Sequence, residues 1–117
     1  MSRMEKVNQQ IKKEIGQIIQ KEMSDPRLQF VSITHVETSK DLRHARIFFS
    51  VLGDPSQIQA SLSSLNHAKG FIRHQLGKKI MMRNTPELNF VYDKSLEESA
   101  RINQALEEWH NEDKNIT

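Results

Sequence analysis

The order helix–strand–strand–helix–helix–strand, followed by one more helix, predicts a two-layer α+β domain: a three-stranded sheet with helices on one face. Three observations predict it. Apolar residues recur at gaps of three and four near the start, middle and end of the chain, the spacing that lines one side of a helix. Three stretches between them are rich in β-branched and aromatic residues, and one of these, His44 to Leu52, alternates strictly. Finally, 117 residues suffice for one core, in which about two-thirds of the unfolded surface is buried, and do not suffice for two.

The first helix is expected from Met4 to Met23, with Val7, Ile11, Ile15, Ile18 and Ile19 on its inner face. Ser2 is its candidate cap and Glu5 the partner of a capping box. Gly16 weakens it by about 1 kcal/mol relative to alanine and marks a place of close packing. Its polar face carries Lys6, Lys12, Lys13 and Lys21, partly balanced by Glu5, Glu14 and Glu22. It ends before Ser24-Asp25-Pro26, because proline disfavours helical geometry in the residue before it.

Leu28 to Glu37 has strand chemistry, and Thr38 to Leu42 forms a turn. In His44 to Leu52, Ala45, Ile47, Phe49 and Val51 take one face, and His44, Arg46, Phe48 and Ser50 the other. The short connection makes these two strands a hairpin. Asp54 then caps a helix with Pro55 at its first position and Ile58, Leu62 and Leu65 as its inner stripe. Gly70 interrupts that pattern, and a second apolar set follows at Phe71/Ile72 and Leu76, so two helices meeting at a kink are expected, the second ending at Gly77. Pro86 to Tyr92 is the third strand. Residues 1–94 form the domain. Residues 95–117 form an acidic amphipathic helix to about Trp109, with a frayed polar end.

The net charge of +2 conceals an asymmetry. Residues 1–94 carry 15 Lys/Arg against 9 Asp/Glu, and residues 95–117 carry 2 against 6. Between Pro55 and Glu87 there is no acidic residue, while Lys69, Arg73, Lys78, Lys79 and Arg83 fall there with His67 and His74. A basic body with such a one-signed stretch points to a polyanionic partner.

Several chemistries find no support. Without cysteine there is no disulfide, thiol catalysis or Cys-ligated zinc. No apolar run is long enough to span a bilayer, and the first ten residues lack a signal-peptide core, so a soluble cytoplasmic protein is expected. There is no Walker loop, GxGxxG or HExxH motif. His35, His44, His67, His74 and His110 show no metal-ligand spacing. Ser61, Ser63 and Ser64 are expected as polar helix surface, and Glu97-Glu98 and Glu107-Glu108 as an exposed face. Neither an enzyme nor a cofactor or metal is expected.

The element order, with Ala68-Lys69-Gly70 between the middle helices, resembles a type II KH domain in which Ala-x-Gly stands where a GxxG loop usually holds the nucleic-acid backbone. Asp25-Pro26-Arg27-Leu28, the run Asp41 to Val51, His67 to Arg73, and Arg83 to Phe90 resemble the bacterial ribosome-binding factor A family in order and spacing, over nearly the whole chain. The resemblance implies a non-catalytic, cofactor-free assembly factor of the small (30S) ribosomal subunit. Its members act late in 16S ribosomal RNA maturation, around the 5′-terminal helix, and support growth in the cold. A ribosome-maturation GTPase releases them. A monomer bound to 16S RNA and the free 30S subunit, with no membrane partner, is expected.

Elementary chemistry agrees with an RNA site. Gly70 lets backbone approach phosphate, and a helix N-terminus at the kink attracts anions. Lys69 and Arg73 lie four apart across the junction, Lys78, Lys79 and Arg83 extend the track, and Arg43 and Arg46 on the hairpin add to it. Phe48 alone among the aromatics is expected on an open sheet face, which favours backbone and shape recognition over base stacking. Two duller readings stand beside this: Ala68 and Gly70 allow tight helix packing only, or the sheet edge or acidic tail binds a protein without direct RNA contact. The acidic tail shielding the basic track is a further expectation.

Overall fold

The computed structural model describes residues 2–95; the expected C-terminal helix lies outside the described residues. The elements are helix α1 (Arg3–Gln17), strands β1 (Val31–Thr38) and β2 (His44–Val51), helices α2 (Pro55–His67) and α3 (Lys69–Lys79), and strand β3 (Glu87–Tyr92). The sheet order is β1-β2-β3, with β1 antiparallel and β3 parallel to the central β2. This is the expected α+β architecture.

Ser2 caps α1 by accepting the Glu5 N–H at 3.2 Å. The helix does not run regularly to Met23. It widens into a π turn over Ile18–Glu22, and both Ile18 and Ile19 are buried there. Then Asp25 starts a 3₁₀ turn, Pro26–Leu28, so Leu28 enters the core from a turn and not from a strand. The Asp25 carboxylate accepts the Arg27 side chain at 3.0 and 3.1 Å and the Arg27 backbone N–H at 2.9 Å. These bonds hold its pKa at about 2, against the ordinary 3.8. A smaller contribution comes from Ser64, whose buried hydroxyl makes no regular hydrogen bond.

Alternation in β2 is as expected: Ala45, Ile47 and Phe49 are buried, and His44 and Arg46 are exposed. β1 places Val31, Ile33 and Val36 in the same layer, with a bulge between Ile33 and His35. β3 adds Leu88 and Phe90. Helices cover this face through Ile11, Ile15, Leu65, Ile72 and Leu76. The hairpin turn holds Leu42 at φ 59°, in the left-handed region, fixed by the Leu42 N–H to Ser39 carbonyl bond and by Asp41 accepting from Ser39 Oγ and the Arg43 N–H.

α2 packs differently from its apolar stripe. Leu65 is buried, but Ile58 and Leu62 are only half-buried, and the serines expected on the surface turn inward: Ser61 and Ser64 are buried. Ser61 Oγ donates to the Arg27 carbonyl at 3.1 Å. Small hydroxyls let the helix sit against the Pro26–Leu28 turn, where leucines would hold it off. α3 also extends past Gly77 to Lys79, and Phe71, expected in the core, is exposed beside buried Ile72.

Asp25 has a folded pKa below its unfolded one, so it adds stability above about pH 4 and loses that contribution as pH falls toward 2. Asp25→Ala is expected to cost about 1–2 kcal/mol at neutral pH, through the lost cap. Urea unfolding at stepped pH should show the gap to the parent closing below pH ~4.

Candidate nucleic-acid interface

The chain between β2 and β3 must cross the helix-covered face, and the acid-free segment makes that crossing. α2 and α3 are separated by Ala68 alone, at φ −91° and ψ 5°. The break therefore sits on Ala68. Of the two residues expected at the kink, Ala68 stands at it, whereas Gly70 lies in the first turn of α3, where an added Cβ would meet no atom within 4 Å. Alanine offers no capping oxygen, so no side chain caps α3.

Two concavities divide the expected cations. The first, a groove of about 490 Å³, has Gly70, Arg73, His74, Gly77 and Lys78 of α3 on one side and Asn84 and Thr85 on the other. Among the described residues no carboxylate lines it. Gly77 lets the loop come close, since a Cβ there would lie 2.7 Å from Thr85 Oγ1. Arg73 also braces the fold. Its Nη2 donates to the Thr85 carbonyl at 2.8 Å and its Nε to the Pro86 carbonyl at 3.2 Å. It pins the approach to β3 while its remaining donors stay available.

The second concavity, about 600 Å³, brings Lys69 to Arg46 and His44 at the hairpin end of the sheet, together with Glu37 and Glu87. Arg46 stands opposite Glu37 in the ladder, and His44 Nδ1 is 3.8 Å from Glu87. Arg46 and His44 have carboxylates beside them, while Lys69 makes no ion pair among the described residues; the first groove, with Lys69 at the start of the same helix, is the better seat for a polyanion.

The other expected residues go elsewhere. Lys79 Nζ sits 2.6 Å from Glu22 Oε1 on the last turn before Met23, and this bond raises the ammonium pKa. Arg43 and Arg83 are exposed on loops and line neither concavity. Asn84 joins the first groove although it is not among the expected site residues, and Phe71 is exposed on α3 without lining either concavity. The Asn84-Thr85-Pro86 run is the signal for the first; nothing in the apolar spacing sets Phe71 apart from Ile72.

The sequence profile described as Ribosome-binding factor A matches residues 3–106. The chain belongs to the ribosome-binding factor A family. The ribosome-binding factor A of Natranaerobius thermophilus is 44% identical over 106 residues, 91% of this chain and 81% of the relative. That of Acetivibrio thermocellus is 43% identical over 109 residues, 92% of this chain and 89% of the relative. Among solved structures, a Thermotoga maritima protein assigned to the family is similar at TM-score 0.69 and 34% identity, over 78% of this chain and 87% of that one. The crystal structure of ribosome-binding factor A from Thermus thermophilus matches at TM-score 0.71 and 23% identity, over 78% and 97%. The Thermus thermophilus factor as fitted into a cryo-EM map of a 30S complex matches at TM-score 0.63 and 24% identity, over 74% and 91%.

Arg73→Ala is expected to cost about 1–2 kcal/mol, through two lost side chain–carbonyl bonds. Arg73→Lys should not restore it, because an ammonium lacks the fork that spans both carbonyls. Urea unfolding of both variants checks this.

Proposed function

We propose that this chain is a non-enzymatic cytoplasmic assembly factor that binds the immature small ribosomal subunit. In this reading it aids late maturation of 16S ribosomal RNA and growth in the cold, and a ribosome-maturation GTPase releases it. The observation that carries the reading is the groove along α3, lined by Arg73, His74 and Lys78 and, among the described residues, by no carboxylate. The small subunit is the partner of the Thermus thermophilus family member, and that partner is carried over here.

The RNA would be held by its backbone. α3 opens at Lys69 without a side-chain cap, and the open space at Gly70 admits a phosphate to the main chain. Lys69 and Lys78 have no acidic partner among the described residues. In this KH-like arrangement Ala68-Lys69-Gly70 takes the place of a GxxG loop. Base stacking on the sheet is a poor alternative, because Phe48 is half-buried with its ring centroid 5.6 Å from that of His35.

The expected outcome of Lys69→Glu with Lys78→Glu is a folded protein that no longer pellets with free small subunits at low salt. The same charge change at Lys40, on the hairpin turn, should leave pelleting unaltered. For each removed cation the slope of log affinity against log salt should fall by about 1. Gly70→Ala separates binding from folding: it should stabilise the helix by about 0.5–1 kcal/mol and still weaken pelleting. Undiminished pelleting of the double-charge variant would refute the site.

A further inference from the structure

β1 is an edge strand, and its register shows which backbone groups lack partners. Leu52 N–H donates to the Phe30 carbonyl, and Val31, Ser32 and Ile33 stand opposite Val51, Ser50 and Phe49. Bonded and non-bonded pairs alternate along an antiparallel ladder. Phe30 and Ser32 therefore turn their N–H and C=O groups toward β2, whereas Val31 and Ile33 turn theirs outward. Only Gln20 reaches this outward row from the preceding helix, its Nε2 lying 3.3 Å from the Val31 carbonyl among the described residues.

A groove of about 520 Å³ runs along that row, between β1 and the helix formed by α1 and its π turn. Its helical wall carries Lys12, Lys13 and Lys21, and among the described residues no carboxylate lines it. Gly16 and Ile19 give it an apolar stretch, and an added Cβ at Gly16 would meet no atom within 4 Å. Glu22 faces Lys79, and Glu14 accepts from Gln10, while the three lysines line the groove; Glu5 lies nearer the start of the helix, beside Thr34, His35 and Val36. Toward the hairpin turn Thr38 Oγ1 donates to Asn8 Oδ1 at 2.7 Å and ties strand to helix.

We propose that this groove docks an extended acidic segment of a partner protein, added to β1 as a fourth strand. A strand supplies carbonyls and N–H groups in the alternation and spacing that Val31 and Ile33 require; the phosphates of RNA are acceptors only, and its 2′-hydroxyl and base donors do not recur at that spacing. Carboxylates along the segment match the lysines, and small apolar side chains at alternate positions match Ile19 and the space at Gly16. A second copy of this chain would bring its own three lysines against these, and like charges repel. This groove shares no lining residue with the groove along α3, so the inference stands apart from the RNA reading.

The test is a nitrogen-15 NMR titration of the full chain with an end-blocked octapeptide alternating valine and glutamate. Its lysine-for-glutamate counterpart and a ten-nucleotide oligouridine serve as comparisons. The glutamate peptide should shift the Val31 and Ile33 amides and slow their hydrogen exchange by about tenfold at saturation. Lys13→Glu with Lys21→Glu should weaken it by about tenfold. Gly16→Leu, which fills the groove, should weaken it comparably while Gly16→Ala retains it. Any one of four results would overturn the proposal: no shift at those two amides up to millimolar peptide; equal binding of the lysine peptide; larger shifts there with the oligouridine; or, in sedimentation, a dimer of the free chain that Lys13→Glu with Lys21→Glu stabilises.

Discussion

The parallel pairing of β2 with β3 governs the rest of the molecule. A tight turn suffices to lay β1 antiparallel to β2, but parallel neighbours require the chain to travel back across the sheet before pairing. Here the return runs from Leu52 to Pro86, and α2 and α3 fill it. Both helices lie over the buried layer that includes Ile47, Phe49, Leu88 and Phe90, so they share one face. The chain turns between them at Ala68, and the outer side of α3 stays exposed.

Charge is then distributed by position. Between Pro55 and Glu87 the crossing contains no carboxylate, so α3 meets solvent with a single sign wherever it is not paired. Two of its cations also serve the fold. Lys79 joins α3 to the end of the first helix through Glu22, and Arg73 grips the two carbonyls that lead into β3. Lys69 and Lys78 make no such bond among the described residues. A similar division holds on the first helix, where Glu22 meets α3, Glu14 meets Gln10, and Lys12, Lys13 and Lys21 line the β1 edge. A small domain thereby keeps two cationic surfaces, one on α3 and one along β1.

Local patterns made most of the fold legible. Strict alternation in His44–Val51 identifies the buried triplet Ala45, Ile47 and Phe49, since a two-residue period admits only one inward set. Pro26 and Asp54-Pro55 mark element ends, because proline acts on the backbone whatever surrounds it. Tertiary effects were not legible. Ser61 and Ser64 look like surface until the Pro26–Leu28 turn is placed against them. Gly70 looks like a breaker, yet glycine's helix penalty is small enough for packing to override, and the chain bends earlier, at Ala68. At the candidate site the cationic stretch was visible in the sequence, but its division between two concavities and the binding of Arg73 to main-chain carbonyls depend on three-dimensional neighbours that no linear pattern encodes.

One bond on the far side of the sheet bears on how the domain ends. Thr34, at the bulge of β1, donates its hydroxyl to the Asp93 carboxylate just past β3, and Asp93 also accepts from Ser95. These bonds hold the Asp93 carboxyl below its usual range, so it is ionised at neutral pH. The bulge that disturbs one strand thus becomes a hasp across all three, clasping the first strand to the chain's point of departure. Whatever follows Ser95 leaves from a fixed post, and a pull on that end is borne by the whole sheet before β3 can peel away.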